Sequence, residues 1–160
     1  MTKTLVAGVG NVFFGDDGFG CAVAQKLAAA GPRDGVTVVD FGIRGVHLAY
    51  ELTSGYDFAI IVDAVARGGR PGTLYVLDPT VDDAAPPPLA DGHGVALPAV
   101  FATMRTLGAP PARLRVVGCE AAELVERVGL SRTLTLAVGP AVTLVNTLLE
   151  DGRRAVAGGP

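Results

Sequence analysis

Five polar residues in this 160-residue chain stand where apolar runs end, and their types are suited to chemistry. Asp16 and Asp17 lie in the loop after the first run, Asp40 closes the second, Asp63 closes the third, and His93 sits in a long polar loop. Two carboxylates with an imidazole, such as Asp17, Asp63 and His93, make an oxygen and nitrogen donor set. Without a thiolate, such a set accepts a borderline divalent ion such as nickel or zinc. Three protein ligands leave positions open for water or for a group from another molecule. Each residue also has an ordinary explanation. A strand-terminal Asp commonly caps a turn, and carboxylates ahead of a helix complement its N-terminal dipole. His93, between Gly92 and Gly94, has the least to do in packing. His47, beside Leu48 at helical spacing, reads as a rim or surface residue.

Only a fold could bring these distant positions together, and the hydrophobic pattern says which. Thr4 to Gly8 reads as a buried strand, and Gly18 to Ala30 as a helix with Val23, Leu27 and Ala28 on one face. Gly35 to Asp40 is a second strand, Gly45 to Thr53 a short helix, and Phe58 to Asp63 a third strand. Thr73 to Leu77 comes after the Gly68 to Gly72 turn. With no room for a crossover helix, this fourth strand is expected to run antiparallel to the third.

The Asp78 to Gly94 loop, with Pro86-Pro87-Pro88 at its centre, is long enough to suggest a functional segment. A helix is expected over Pro98 to Leu107, where Pro suits a first turn and Gly108 the exit. Arg113 to Cys119 forms a fifth strand. Ser131 is placed to cap a last helix, along which Leu134, Val138, Ala141, Val145 and Leu148 make an apolar stripe, with a kink or tightening at Pro140.

Such alternation implies an α/β three-layer sandwich, a mostly parallel five-stranded twisted sheet with helices on both faces. Ligands of these sheets bind outside the carboxyl ends of the strands, where Asp16, Asp17, Asp40 and Asp63 would gather. The expected organisation is one domain over residues 1–150 and a flexible tail over 151–160.

Composition narrows the functional classes. The chain is 49% hydrophobic and 18% charged, with mean hydropathy +0.43, no Trp and only 6% aromatic residues. A core of small aliphatic side chains fits strands buried on both faces. A net charge of −3 argues against nucleic-acid binding, which needs Lys and Arg to displace counterions. Nothing in the N-terminal residues reads as a targeting segment. The longest apolar stretch, Leu134 to Leu149, contains Gly139-Pro140 and Asn146 and falls short of the roughly 20 apolar residues of a membrane span. Cys21 and Cys119 are far apart and form no Cys-x-x-Cys, against a zinc finger or disulfide scaffold and in favour of a reducing cytoplasm.

The run from Gly8 to Gly20, Gly-Val-Gly-Asn-Val-Phe-Phe-Gly-Asp-Asp-Gly-Phe-Gly, resembles the opening signature of the hydrogenase-maturation endopeptidases. That signature is Gly-x-Gly-Asn, a short apolar loop, an acidic pair and Gly-x-Gly. The likeness continues through Ile60 to Ala64, Gly92-His93-Gly94, Val117 to Glu120 and Gly129 to Ser131. The resemblance implies a metal-binding trio at Asp17, Asp63 and His93, supported by the loop residues Gly8, Gly10, Asn11, Asp16 and Gly18. It also implies a monomeric aspartic-type enzyme that reads nickel already seated in its substrate, the hydrogenase large-subunit precursor, and then cuts off a C-terminal extension.

Nickel would thus come with the substrate, an isolated chain holding at most an adventitious divalent ion. Asp40 matches an acidic position near the site, where a carboxylate could orient or deprotonate water. The chain departs from many relatives in having Asp17 rather than Glu, and in Phe41 and Arg44, which bear on which large subunit is accepted.

Other readings compete. Gly8-x-Gly10 with Asp40 imitates a dinucleotide-binding Rossmann fingerprint, although Phe13 stands at the third glycine position and Asp16 and Asp17 would repel a pyrophosphate. A metallopeptidase with its own zinc lacks a His-Glu-x-x-His. A non-catalytic chaperone that docks on the large subunit is the third alternative.

Overall fold

A computed structural model describes residues 2–79 and 95–158. Five strands form one sheet in the order β2-β1-β3-β5-β4: β1 Thr4–Val9, β2 Val36–Gly42, β3 Phe58–Val65, β4 Leu74–Leu77 and β5 Arg113–Glu120. β1 pairs in parallel with β2 and β3, and β3 in parallel with β5. The helices are α1 Phe19–Ala29, α2 Gly45–Leu52, α3 Leu97–Leu107 and α4 Arg132–Ala157.

One correction concerns β4. It runs antiparallel to the sheet as expected, but its partner is β5, with Leu74 opposite Cys119 and Leu77 opposite Val116. β5 inserts between β3 and β4, so a pair adjacent in sequence is separated in space.

Side-chain alternation along the strands divides the core in two. Val6, Phe58, Ile60, Val62, Val117 and Cys119 point to one face, which α1 and α4 cover. Leu5, Ala7, Val9, Ala59, Ile61 and Val116 point to the other, under α2 and α3. β1 and all but the last residue of β3 are buried throughout, as strands covered on both faces must be.

Ser131 caps α4 through its side-chain oxygen, which accepts from Leu134 N at 3.3 Å. The inward stripe of α4 is Leu134, Ala137, Ala141, Val145 and Leu149, with Val138 and Leu148 flanking it. Helical structure runs on through Pro140. The flexible tail expected over 151–160 is corrected as well, because α4 continues to Ala157. Gly152 is buried, and a methyl there would stand 2.8 Å from the Phe58 ring. That close approach extends the packed chain past the expected boundary at 150. By length and composition α4 reaches membrane-spanning size, but its apolar stripe is spent on the sheet.

Candidate active site

The loop leaving β1 is shaped around Asp17. Gly10 has φ +138°, a conformation that L side chains avoid, and a methyl built on it would overlap the Asp17 carbonyl oxygen. Its N–H donates to Gly42 O at 2.9 Å, tying this loop to the end of β2. Asn11 then folds the chain back, its side-chain oxygen accepting from Phe13 N at 2.9 Å. Its own N–H donates to Asp17 Oδ2 at 2.7 Å. Asp16 and Asp17 lie in the 3₁₀ turn Gly15–Gly18 that leads into α1. Gly8 and Gly20 let α1 lie directly on the strands, because a methyl on Gly20 would overlap the Val62 carbonyl oxygen and one on Gly8 the Gly20 carbonyl oxygen.

Asp63 comes from the carboxyl end of β3, where it pairs in register with Gly118 of β5. It is buried, at 9% exposure. Burial pushes its carboxyl well above the usual carboxylate range, and the Asp17 charge adds to this, against a smaller opposing pull from the Ala64 N–H. Two carboxylates placed this way cannot both carry charge without cost; a proton on Asp63 or a cation between them relieves it. Asp17 and Asp63, far apart in sequence, are thus brought together at the carboxyl edge of the sheet.

Asp40 ends on the same edge, half-buried, with each oxygen engaged: Oδ1 accepts from Gly42 N and Oδ2 from Gln25 Nε2, both at 3.0 Å. The Asp40 carbonyl accepts from Arg44 Nη2 at 2.8 Å. Cys21 feels the charges of both Asp40 and Asp63, a site neighbour that sequence reasoning missed. Its Sγ donates to Gly10 O at 3.5 Å. Burial first, then a hydrogen bond and the charge of Asp40, and last the charge of Asp63, push its thiol far up. A signal for it exists in the sequence, since Cys21 stands four residues after Asp17 at the start of α1, one helical turn on.

Asp16, which the sequence suggests as a partner for the helix dipole, does something else. Its carboxylate is wholly buried and accepts four hydrogen bonds from the segment after β5. Ala122 N donates to Oδ2 at 2.9 Å, Glu123 N to Oδ2 at 2.7 Å, Ser131 Oγ to Oδ2 at 3.0 Å, and Ser131 N to Oδ1 at 2.7 Å. Bonds to a charged acceptor contribute about 1.5–3 kcal/mol each, so this carboxylate is a strong tie between two loops. Glu120 plays a comparable part, receiving Arg67 N and Gly69 N from the turn before β4.

His93 lies outside the described residues. Val95, two residues later, is described, and a methyl on Gly45 at the start of α2 would touch the side chains of Val95 and Val100. Among the described residues no three His, Cys, Asp or Glu side chains form a group able to hold a metal ion. The dinucleotide alternative fails here, because the turn that would cradle a pyrophosphate carries the buried carboxylates of Asp16 and Asp17.

Comparison with solved structures sets the class. The hydrogenase-maturating endopeptidase HybD of Escherichia coli superposes with TM-score 0.82 at 27% identity, covering 94% of each chain. The hydrogenase 2 maturation peptidase of Thaumarchaeota archaeon SCGC_AB-539-E09 superposes with TM-score 0.70 at 30% identity, over 93% of this chain and 99% of that one. Among curated relatives, HupD of Rhodobacter capsulatus, a hydrogenase expression/formation protein, is 32% identical over 136 residues. The match spans 81% of this chain but only 62% of HupD, which is longer.

The fold and its comparisons therefore define a peptidase of the α/β type. A family model described as hydrogenase maturation protease matches residues 21–148, and the chain belongs to that family. The matched span contains Asp40 and Asp63; Asp17 precedes it.

Proposed function

We propose that this chain removes the C-terminal extension from the large-subunit precursor of a nickel-iron hydrogenase, and that it reads nickel held by that precursor before cutting. The observation that carries the reading is the Asp17–Asp63 pair, whose buried Asp63 carboxyl is pushed well up by burial and by its neighbour's charge. A divalent ion arriving in the substrate would supply positive charge to offset that repulsion. His93 is assigned as the third donor, which leaves the remaining positions of the ion to the precursor.

Nickel is here part of the substrate and polarises nothing until the precursor docks. Asp40 offers four lone-pair sites, of which bonds with Gly42, Gln25 and the Cys21 thiol engage three, so one remains to take a proton from water as that water attacks the scissile carbonyl carbon. The proton then goes to the leaving amine as the peptide bond breaks. Two free, buried cysteines support a reducing, cytoplasmic setting, and we assign the chain to act as a monomer.

The test is to incubate the purified chain with nickel-loaded and nickel-free precursor and to measure the precursor's mass over time. Only the loaded form should lose a short C-terminal peptide, and His93→Ala should abolish that loss. Equal cutting of both forms would sink the nickel-reading mechanism.

A further inference from the structure

Side chains alternate along a strand, so Val36, Val38 and Asp40 of β2 share one face. Val36 and Val38 pack in the layer that Val23 and Leu27 of α1 belong to, whereas Val39 and Phe41 turn to the opposite layer. Asp40 therefore continues a row that α1 overlies. Where that row changes from apolar to acidic, α1 changes with it. Cys21 and Gln25, one turn apart on one edge of the helix, meet the Asp40 carboxylate.

Two oxygens of Asp40 are held from two elements. Gly42 N donates to Oδ1 and Gln25 Nε2 to Oδ2, both at 3.0 Å. A carboxylate held by one oxygen still turns about its Cβ–Cγ bond, a soft torsion, and a second bond removes that freedom. The two bonds do different things. Gly42 belongs to the same strand as Asp40, so its bond moves with the strand. Gln25 belongs to α1, which follows directly on the Gly15–Gly18 turn. Its bond ties the Asp40 carboxylate to the element that carries Asp17.

We infer that Gln25 is a positioning residue for the cleavage step, its side-chain amide fixing the Asp40 carboxylate in orientation and relative to Asp17. This rests on the functional reading above and adds to it the group that orients the base. Gln25 acts only through Asp40. It is exposed, so it can be changed without disturbing the core, unlike Cys21, which is 1% exposed and packed beneath the same carboxylate.

The experiment uses the full chain and nickel-loaded precursor. Gln25→Met keeps the length and helix propensity of the side chain and removes the donor. It should lower kcat about three- to tenfold and leave KM within about twofold of the parent. Gln25→Lys, which returns an N–H donor, should bring kcat back to within about threefold of the parent. Both variants should melt within about 2 °C of the parent.

An unchanged kcat for Gln25→Met would overturn the inference. A loss confined to KM, a loss that Gln25→Lys does not repair, or a loss that tracks a lowered Tm would overturn it as well. Asp40→Ala separates this failure from that of the functional reading. Processing at the parental rate by Asp40→Ala would remove Asp40 from the mechanism, and this inference with it. Failure of the unmodified chain to process any precursor would overturn the functional reading as a whole. Processing that depends on Asp40 and not on Gln25 would overturn the inference alone.

Discussion

Asp63→Asn should make the folded protein more stable at neutral pH while abolishing its activity. The substitution keeps the shape of the side chain and removes the charge that burial and Asp17 penalise. The sign comes from linkage. In the unfolded chain Asp63 titrates near its ordinary value of 3.8, whereas in the folded chain its carboxyl holds the proton to well above that. The folded state therefore binds more protons across the interval between the two, and stability falls as pH rises through it.

The Asn variant behaves as a permanently neutral side chain. Its advantage is nil below the ordinary carboxyl value and grows by about 1.4 kcal/mol for each pH unit across the interval. A buried polar group lacking full partners costs about 1–3 kcal/mol. For a chain of this size each kcal/mol moves Tm by about 2–4 °C, so the variant should melt at or below the parent at pH 4 and above it at pH 7.5. Thermal melts of both proteins at pH 4, 5.5 and 7.5, with processing assays on the same preparations, provide the check. A lower Tm for the variant at pH 7.5, or a gain of the same size at every pH, would refute the reasoning.

Packing sets two further outcomes. Gly20→Ala should lower Tm despite better helix propensity, because the added methyl meets the Val62 carbonyl and lies 2.5 Å from Val9 O. Overpacking of this kind costs about 1–3 kcal/mol. Gly139→Ala in α4 meets nothing within 4 Å beyond its chain neighbours; its helix-propensity gain of up to about 1 kcal/mol is opposed by the clash of a Cβ with the ring of Pro140, so it should shift Tm less than Gly20→Ala lowers it, and equal shifts in both variants would contradict this. Cys21 and Cys119 should resist a thiol reagent at pH 8 until the chain is denatured. Both are buried, and burial together with nearby acidic charge pushes Cys119 up to about 12. Rapid titration of one thiol per folded chain would count against that environment.

The strands and helices are largely legible because each apolar run has one period and ends on a Gly, Pro or Asp. The convergence of Asp17 and Asp63 is legible too, since both close parallel strands or the loops just after them. Pairing across long separations is not. Nothing near Leu74 says that its neighbour will be Cys119 rather than a residue of β3, since that choice depends on where the returning chain finds an open sheet edge. Asp16 shows the same limit. Adjacent Asp16 and Asp17 look interchangeable as residue types, yet one is turned toward Asp63 and the other into a nest of donors contributed by residues 122–131. Gly152 reads as the start of a tail because its packing partner, Phe58, is remote in sequence.

The position of β5 between β3 and β4 has a consequence for how the protein is born. A ribosome delivers Asp16 and Asp17 well before the donors that hold Asp16, the last of which, Ser131, follows 115 residues later. Until then the strand that completes the sheet and the loop that closes on the acidic turn are both missing. The acidic turn thus emerges ahead of the segment that gives it shape, and a nascent chain ending before Ser131 carries its acidic pair without the full set of donors that holds Asp16.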